Sequence, residues 1–136
     1  MNPVQVAVYR EVSQMKKLFP QFRCRIKGGL PVWQGDLQPT ETSPQYHISI
    51  QYELSGRCSV YVLDPIIKSN APHRYSNHSL CLYYPKDKNS LEQGVARTIV
   101  PWTAEWLLYY EAWLVTGQWF GPEAPHLPDK IPDASV

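Results

Sequence analysis

Three cysteines, Cys24, Cys58 and Cys81, are the side chains of this sequence best suited to covalent chemistry. A cysteine is a nucleophile where it can ionise beside polar groups, and a small inert hydrophobe where it is packed in a core. Cys24 and Cys58 alternate within the strand-like runs FRCRIKG and CSVYVL, so both read as buried structural residues. Cys81 instead closes a polar loop, in the segment SLCLYYP, and from the residues alone it reads equally as nucleophile or as core. The same loop holds His73, Asn77, His78 and Ser79. A thiol that attacks a carbonyl needs hydrogen-bond donors for the oxyanion that develops, and Asn77, Ser79 or backbone N–H groups are candidates. His73 reads as a ligand, a proton-transfer group or a hydrogen-bonding pin for the loop, and His78 as a surface residue. Asp87, beyond Cys81 in the chain, is placed to orient an incoming amine, although a surface aspartate at a turn is the simpler reading. His73, His78 and Cys81 lack a fourth zinc ligand at a familiar spacing, so neither a metal nor an organic cofactor is implied.

These residues must be positioned by the elements around them. Val4, Val8, Val12, Met15 and Phe19 recur at helical spacing, with Arg10, Lys16 and Lys17 elsewhere on the wheel and Pro20 as terminator, which predicts an amphipathic first helix. In FRCRIKG, Phe22, Cys24 and Ile26 share one face and Arg23, Arg25 and Lys27 the other, predicting a strand with one wet face that ends at Gly28 and Gly29. A short strand is expected from Val32 to Leu37, and another where Tyr46, Ile48, Ile50, Tyr52 and Leu54 alternate with polar residues. CSVYVL, apolar on both faces and stopped by Asp64 and Pro65, reads as a more central strand. Together these predict an antiparallel meander with a helix over one face.

From Pro65 to Leu80 no apolar repeat persists, and a long irregular connection is expected there. Long ordered loops in small domains often carry function. Residues 90–100 have room for one or two helical turns, and a strong helix is predicted after Pro101, with Trp106, Tyr110, Trp113 and Leu114 along one side, Glu105 and Glu111 as polar breaks and Gly117 as its cap. The stripe Trp102, Trp106, Tyr109, Tyr110 and Trp113 reads chiefly as core, but it has too many large rings for one narrow face, which leaves some for a partner.

Composition narrows the function classes. With 136 residues the chain suits a single domain, and 13 basic against 12 acidic residues give no global pull toward nucleic acid or an anionic membrane. The start, MNPVQVAVYREVSQMKK, lacks a secretory pattern, and WLLYYEAWLV is too short for a bilayer, so a cytoplasmic protein with reduced thiols is expected. The last stretch, GPEAPHLPDKIPDASV, is rich in Pro and poor in large apolar residues, dividing the chain into a domain over 1–121 and a tail over 122–136.

The pieces VWQGDL, YHISIQYEL, APHRY and SLCLYYP, in the order helix, meander, cysteine loop and helix, resemble the α/β (α+β) ubiquitin-conjugating-enzyme fold from Phe22 to about Gly121. More narrowly, HSLCLYYPKD followed by IVPWTAEWLLYYEAWLVTGQWFG is similar to the small conjugating-enzyme-like proteins of bacterial antiphage operons of the CBASS type, the PWTAEWLLYYEAWL block being the most specific part. In the short type II operons such a protein accompanies a cGAS-like nucleotidyltransferase without a dedicated activating enzyme. The resemblance implies a transferase in which Cys81 takes the C-terminus of that nucleotidyltransferase as a thioester and passes it to acceptor protein lysines, regulating antiphage defence. His73 corresponds to the histidine that organises the active-site loop in the resembled enzymes. Where eukaryotic conjugating enzymes have His-Pro-Asn, this chain has His73-Arg74-Tyr75, which leaves Asn77 as the nearby substitute for the oxyanion-polarising Asn. The alternative implied by the same resemblance is a catalytically inactive adaptor that binds the nucleotidyltransferase or forms a homodimer.

Overall fold

The computed structural model describes residues 1–55, 57–82 and 93–122. Helix α1 spans Pro3–Leu18 and begins with a capping box: Asn2 accepts from the Gln5 backbone N–H at 2.9 Å, and the Gln5 side chain accepts from the Asn2 N–H at 3.0 Å. These bonds satisfy donors that a helix start otherwise leaves open, and Pro3 at the first turn loses nothing there. Met15 is the one residue of α1 that is fully buried. Val4 is exposed, so the apolar stripe read from the sequence is used only over its C-terminal half.

Four antiparallel strands follow: β1 (Arg23–Lys27), β2 (Leu30–Leu37), β3 (Tyr46–Tyr52) and β4 (Cys58–Asp64), in the sheet order β1-β2-β3-β4. The predicted meander and the α+β class are therefore observed. The register aligns Trp33, Ile50 and Val60 across the sheet, all buried, and they meet the second helix, α2 (Val95–Thr116), through core residues such as Ile99, Trp106 and Leu107. Gly35 lets Phe22 lie against the sheet, because a Cβ at that position would come within 2.7 Å of the Phe22 ring.

Several expectations are corrected. Cys24 and Ile26 share the face of Trp33 and Pro31, yet all of β1 is exposed, because it is the sheet edge while the helices contact β2 and β4. Cys24 is therefore an exposed thiol, whereas Cys58 is buried as expected. Leu54 lies beyond the end of β3 and is exposed. β4 is the other edge strand and not a central one. Its apolar character has a different cause: the cysteine loop covers it, with the Leu80 N–H donating to the Val60 carbonyl at 2.8 Å.

Pro101 does not begin a new helix but lies inside α2. Proline removes the bond to the carbonyl four residues earlier. Here that carbonyl belongs to Arg97, and both Arg97 and Pro101 are exposed, so water can satisfy it. Gly117 caps α2 in the left-handed conformation, as predicted, while Leu114 is exposed. Among the described residues no helix is long and apolar enough to cross a membrane.

Candidate active site

The connection after β4 has little regular structure but is tightly fixed. Ile67, Ala71, Tyr75, Leu80 and Leu82 are buried along it. The Lys68 N–H donates to the Tyr110 hydroxyl at 3.1 Å, and the Arg74 guanidinium donates to the Lys68 carbonyl at 3.1 Å. Residues 74–80 form a small hairpin, with an Arg74–Leu80 bridge and the Tyr75 N–H donating to the Ser79 carbonyl at 2.9 Å. Asn77 organises its tip: its side-chain oxygen accepts from the Ser79 N–H at 3.0 Å and from the Ser79 hydroxyl at 2.6 Å. Its amide N–H2 faces the Tyr61 hydroxyl at 3.4 Å. His78, at the same tip, is exposed and has φ 71°, a left-handed conformation that histidine tolerates better than most residues.

His73 joins this loop to the cysteine and to α2. Its backbone is also left-handed, at φ 59°. Its carbonyl accepts from the Cys81 N–H at 2.9 Å and from the Trp106 indole N–H at 3.2 Å. One backbone oxygen thus holds the cysteine backbone and the aromatic helix in a fixed relation. The His73 ring lies 4.9 Å from that of Trp119, whose segment folds back after α2 onto Trp106 and Tyr109.

Cys81 is only 2% exposed, and the space it borders is a cavity of about 250 Å³ between the loop and α2. His73 and Cys81 form one wall, and the rings of Trp102, Trp106, Tyr109 and Trp119 form most of the rest. Glu105 is the carboxylate among the described lining residues and is exposed to solvent. Its Oε1 accepts from the Tyr109 hydroxyl at 3.3 Å. Burial, with the charge and hydrogen bond of Glu105 adding to it, pushes the Tyr109 phenol up, so it stays a neutral donor at physiological pH.

The structure therefore brings His73 and Cys81 to one cavity, while Asn77 is placed at the hairpin tip and Asp87 lies outside the described residues. Among the described residues no three His, Cys, Asp or Glu side chains gather as a metal site. In the sequence Glu105 reads as a break in an apolar helix face, and Trp119 lies outside the aromatic stripe. The spacing Trp102, Glu105, Trp106, Tyr109 was a usable signal, because residues three and four apart share one helix face. Trp119 left no such signal, since it reaches the site only by the fold-back beyond Gly117.

Glu111, the other polar break, ties the β2–β3 loop to α2. It accepts from the Ser43 hydroxyl at 2.9 Å and from the Tyr46 hydroxyl at 3.0 Å, and burial together with this carboxylate drives the Tyr46 phenol upward. At its other end α2 is tied to α1, where Glu11 Oε2 accepts from the Val95 N–H at 3.0 Å. Gly94 makes that approach possible: it has φ 95°, and a Cβ there would collide with the Gln14 and Glu11 side chains. The aromatic helix is thus fixed at both ends before it presents its rings to Cys81.

No curated protein matches this chain. The family model for the Type II CBASS E2 protein matches residues 11–127, a span that runs from the middle of α1 through the meander, the cysteine loop and α2. With the fold, the loop cysteine and the aromatic helix all inside that match, the chain belongs to the Type II CBASS E2 family.

Proposed function

We propose that this E2-like protein of a CBASS antiphage system is a ubiquitin-conjugating-like transferase that carries the C-terminus of a partner as a thioester on Cys81. The partner is a cGAS-like nucleotidyltransferase, and the acyl group is passed to a protein lysine. The observation that supports this reading best is Cys81 itself, held by its backbone to His73 and bordering the cavity beside α2. In the loading step the Cys81 thiolate attacks the carbonyl carbon of an activated C-terminal acyl group, an acyl adenylate or a thioester. The new S–C bond forms as the activating group leaves. In the transfer step a lysine nitrogen, having lost one proton to water, attacks the same carbon. The C–S bond breaks, and the departing thiolate takes the second nitrogen proton.

Each step passes through an oxyanion that hydrogen-bond donors stabilise. Asn77 is the side-chain candidate, because its oxygen is engaged by Ser79 while its N–H2, among the described residues, makes the long 3.4 Å contact to Tyr61. His73 acts by holding the cysteine segment, and Asp87 is the candidate for orienting the acceptor lysine. The test is electrophoresis, nonreducing against reducing, after co-expression with the operon's nucleotidyltransferase. A covalent adduct of the two proteins that disappears with reductant is expected, and its absence at every level of co-expression would overturn the reading.

The low exposure of Cys81 favours a second reading, that of a catalytically inactive adaptor which binds the nucleotidyltransferase. An adaptor keeps its defence phenotype in cells with Cys81→Ala, whereas the transferase loses it.

A further inference from the structure

The two edges of the sheet differ in what lies beside them. The cysteine loop rests against β4, whereas among the described residues nothing pairs with the outer edge of β1. All of β1 is exposed, so its backbone offers on that side the N–H and C=O groups that template a further strand. Its side chains divide by face. Arg23, Arg25 and Lys27 lie beside Gln34, Val32 and Leu30, so no carboxylate stands opposite them on β2, and among the described residues none forms an ion pair with them. Cys24 and Ile26 share the other face, and Ile26 is 59% exposed although its cross-strand neighbour Pro31 is buried.

An edge with a basic row on one face and an apolar row on the other selects a partner by charge and by period. A strand added to β1 places every second side chain beside the basic row and the alternate ones beside Cys24 and Ile26. A second copy of this chain is the wrong occupant. Two β1 strands paired about a two-fold axis would set Arg23, Arg25 and Lys27 of one copy against those of the other, and like charges directly opposite destabilise a strand pair. An extended segment that alternates carboxylates with apolar residues suits both faces.

We propose that β1 is a docking edge for an acidic, extended segment of a partner protein, which joins the sheet as a further strand beside β1. Backbone hydrogen bonds hold the segment, its carboxylates pair with Arg23, Arg25 and Lys27, and its apolar side chains cover Ile26 and Cys24. Strand spacing puts this edge about 14 Å from β4, on which the cysteine loop rests, so a docked segment leaves the Cys81 cavity open. Docking here needs no thioester at Cys81.

The probe is a fluorescein-labelled, acetylated peptide of alternating Glu and Val, about six residues long to match the strand, titrated with the full chain and followed by fluorescence anisotropy. The controls are a peptide of the same composition with its Glu residues first and its Val residues last, and an alternating Lys and Val peptide. Saturable binding of the alternating acidic peptide is expected, roughly fivefold or more tighter than either control, because only that peptide serves both faces. Amide hydrogen exchange over Arg23–Lys27 should slow in the complex as new backbone bonds form. Arg23→Glu with Arg25→Glu should weaken binding by about tenfold or more, whereas Arg10→Glu with Lys16→Glu, an equal change of charge on α1, should leave it within about twofold. All four side chains are exposed, so both double variants should fold, as circular dichroism would verify. The absence of saturable binding overturns the proposal and leaves the basic row as a guard against edge-to-edge association. Equal binding of either control peptide, unchanged amide exchange in β1, or equal weakening by both double variants overturns it as well.

Discussion

At Cys81 two properties meet in one residue: it is nearly without solvent exposure, and it borders the cavity through which a substrate would reach it. The other two thiols offer a contrast, since Cys24 is exposed on the edge strand and Cys58 is packed in the core. Nucleophilic chemistry at Cys81 predicts a particular pattern across all three. The wild-type adduct is lost on reduction, because free thiols attack thioesters and displace the enzyme cysteine. Cys81→Ser accumulates a reductant-resistant, base-labile ester, since an alkoxide is the poorer leaving group, and Cys81→Ala forms neither. Cys24→Ala and Cys58→Ala keep the adduct. They differ in stability: Cys24→Ala should change it by less than about 0.5 kcal/mol, and Cys58→Ala should cost on the order of 1 kcal/mol in urea denaturation. An adduct that survives Cys81→Ala but vanishes with Cys24→Ala places the chemistry on the exposed thiol.

The contact between α1 and the start of α2 is an electrostatic joint in which burial of Glu11 sets the sign of the pH dependence. Burial pushes the Glu11 carboxyl above its ordinary value of 4.5, and the hydrogen bond from the Val95 N–H pulls it only partly back. A raised value means that the folded chain holds this proton more tightly than the unfolded chain does. The resulting stabilisation is fully present below pH 4.5 and is lost as the pH rises through the folded value. Stability by urea denaturation should therefore fall, relative to Glu11→Gln, as the pH rises above 4.5, because Gln keeps an acceptor oxygen without the charge. Glu11→Ala should be worse than Glu11→Gln at every pH, by about 1 kcal/mol, because the Val95 N–H loses its acceptor. A wild type that gains on Glu11→Gln with rising pH would mean that attraction between the ionised carboxylate and the helix N-terminus outweighs desolvation.

Across the whole molecule, the same aromatic helix builds the core and walls the cavity, so stability and site are coupled through particular rings. Trp106 is buried, stacks on Tyr110 with centroids 5.5 Å apart, and bonds the His73 carbonyl. Trp106→Ala should cost about 3–5 kcal/mol, a large part of the 5–15 kcal/mol that typically holds a domain together, and should leave little folded protein by circular dichroism. Trp113 is half-buried and also stacks on Tyr110, with centroids 6.0 Å apart, so Trp113→Ala should cost only about 1–2 kcal/mol and give a soluble, cooperatively melting protein. The expected division into a domain over 1–121 and a tail over 122–136 makes a further prediction, since a Pro-rich segment with few large apolar residues offsets little of its own ordering entropy. Truncation after Pro125 should leave Tm nearly unchanged, and a loss of several degrees would show that the folded unit extends into that segment, as the family match to residue 127 allows.

The local pattern of the sequence was enough for the existence of both helices and of the four-strand meander, though not for where α2 begins or which strands lie at the edge. Alternation at Tyr46, Ile48 and Ile50, the short turns and the glycine after α2 are signals carried by neighbours in the chain, and local geometry reads them directly. A resemblance carried by short motifs made Cys81 and His73 candidates, and the structure brings both to one cavity. Which side of an element meets another element is not a local property. Cys24 has a core pattern but lies at an uncovered edge, and β4 has a central pattern because a loop, not a strand, lies against it. Pro101 reads as a boundary, yet it lies inside α2, on an exposed stretch where water can satisfy the carbonyl it orphans. Only the tertiary structure brings Glu105 and Trp119 to Cys81, because the fold-back after Gly117 and the bond from Trp106 to the His73 carbonyl join segments far apart in the chain, and no periodicity within either segment encodes that meeting.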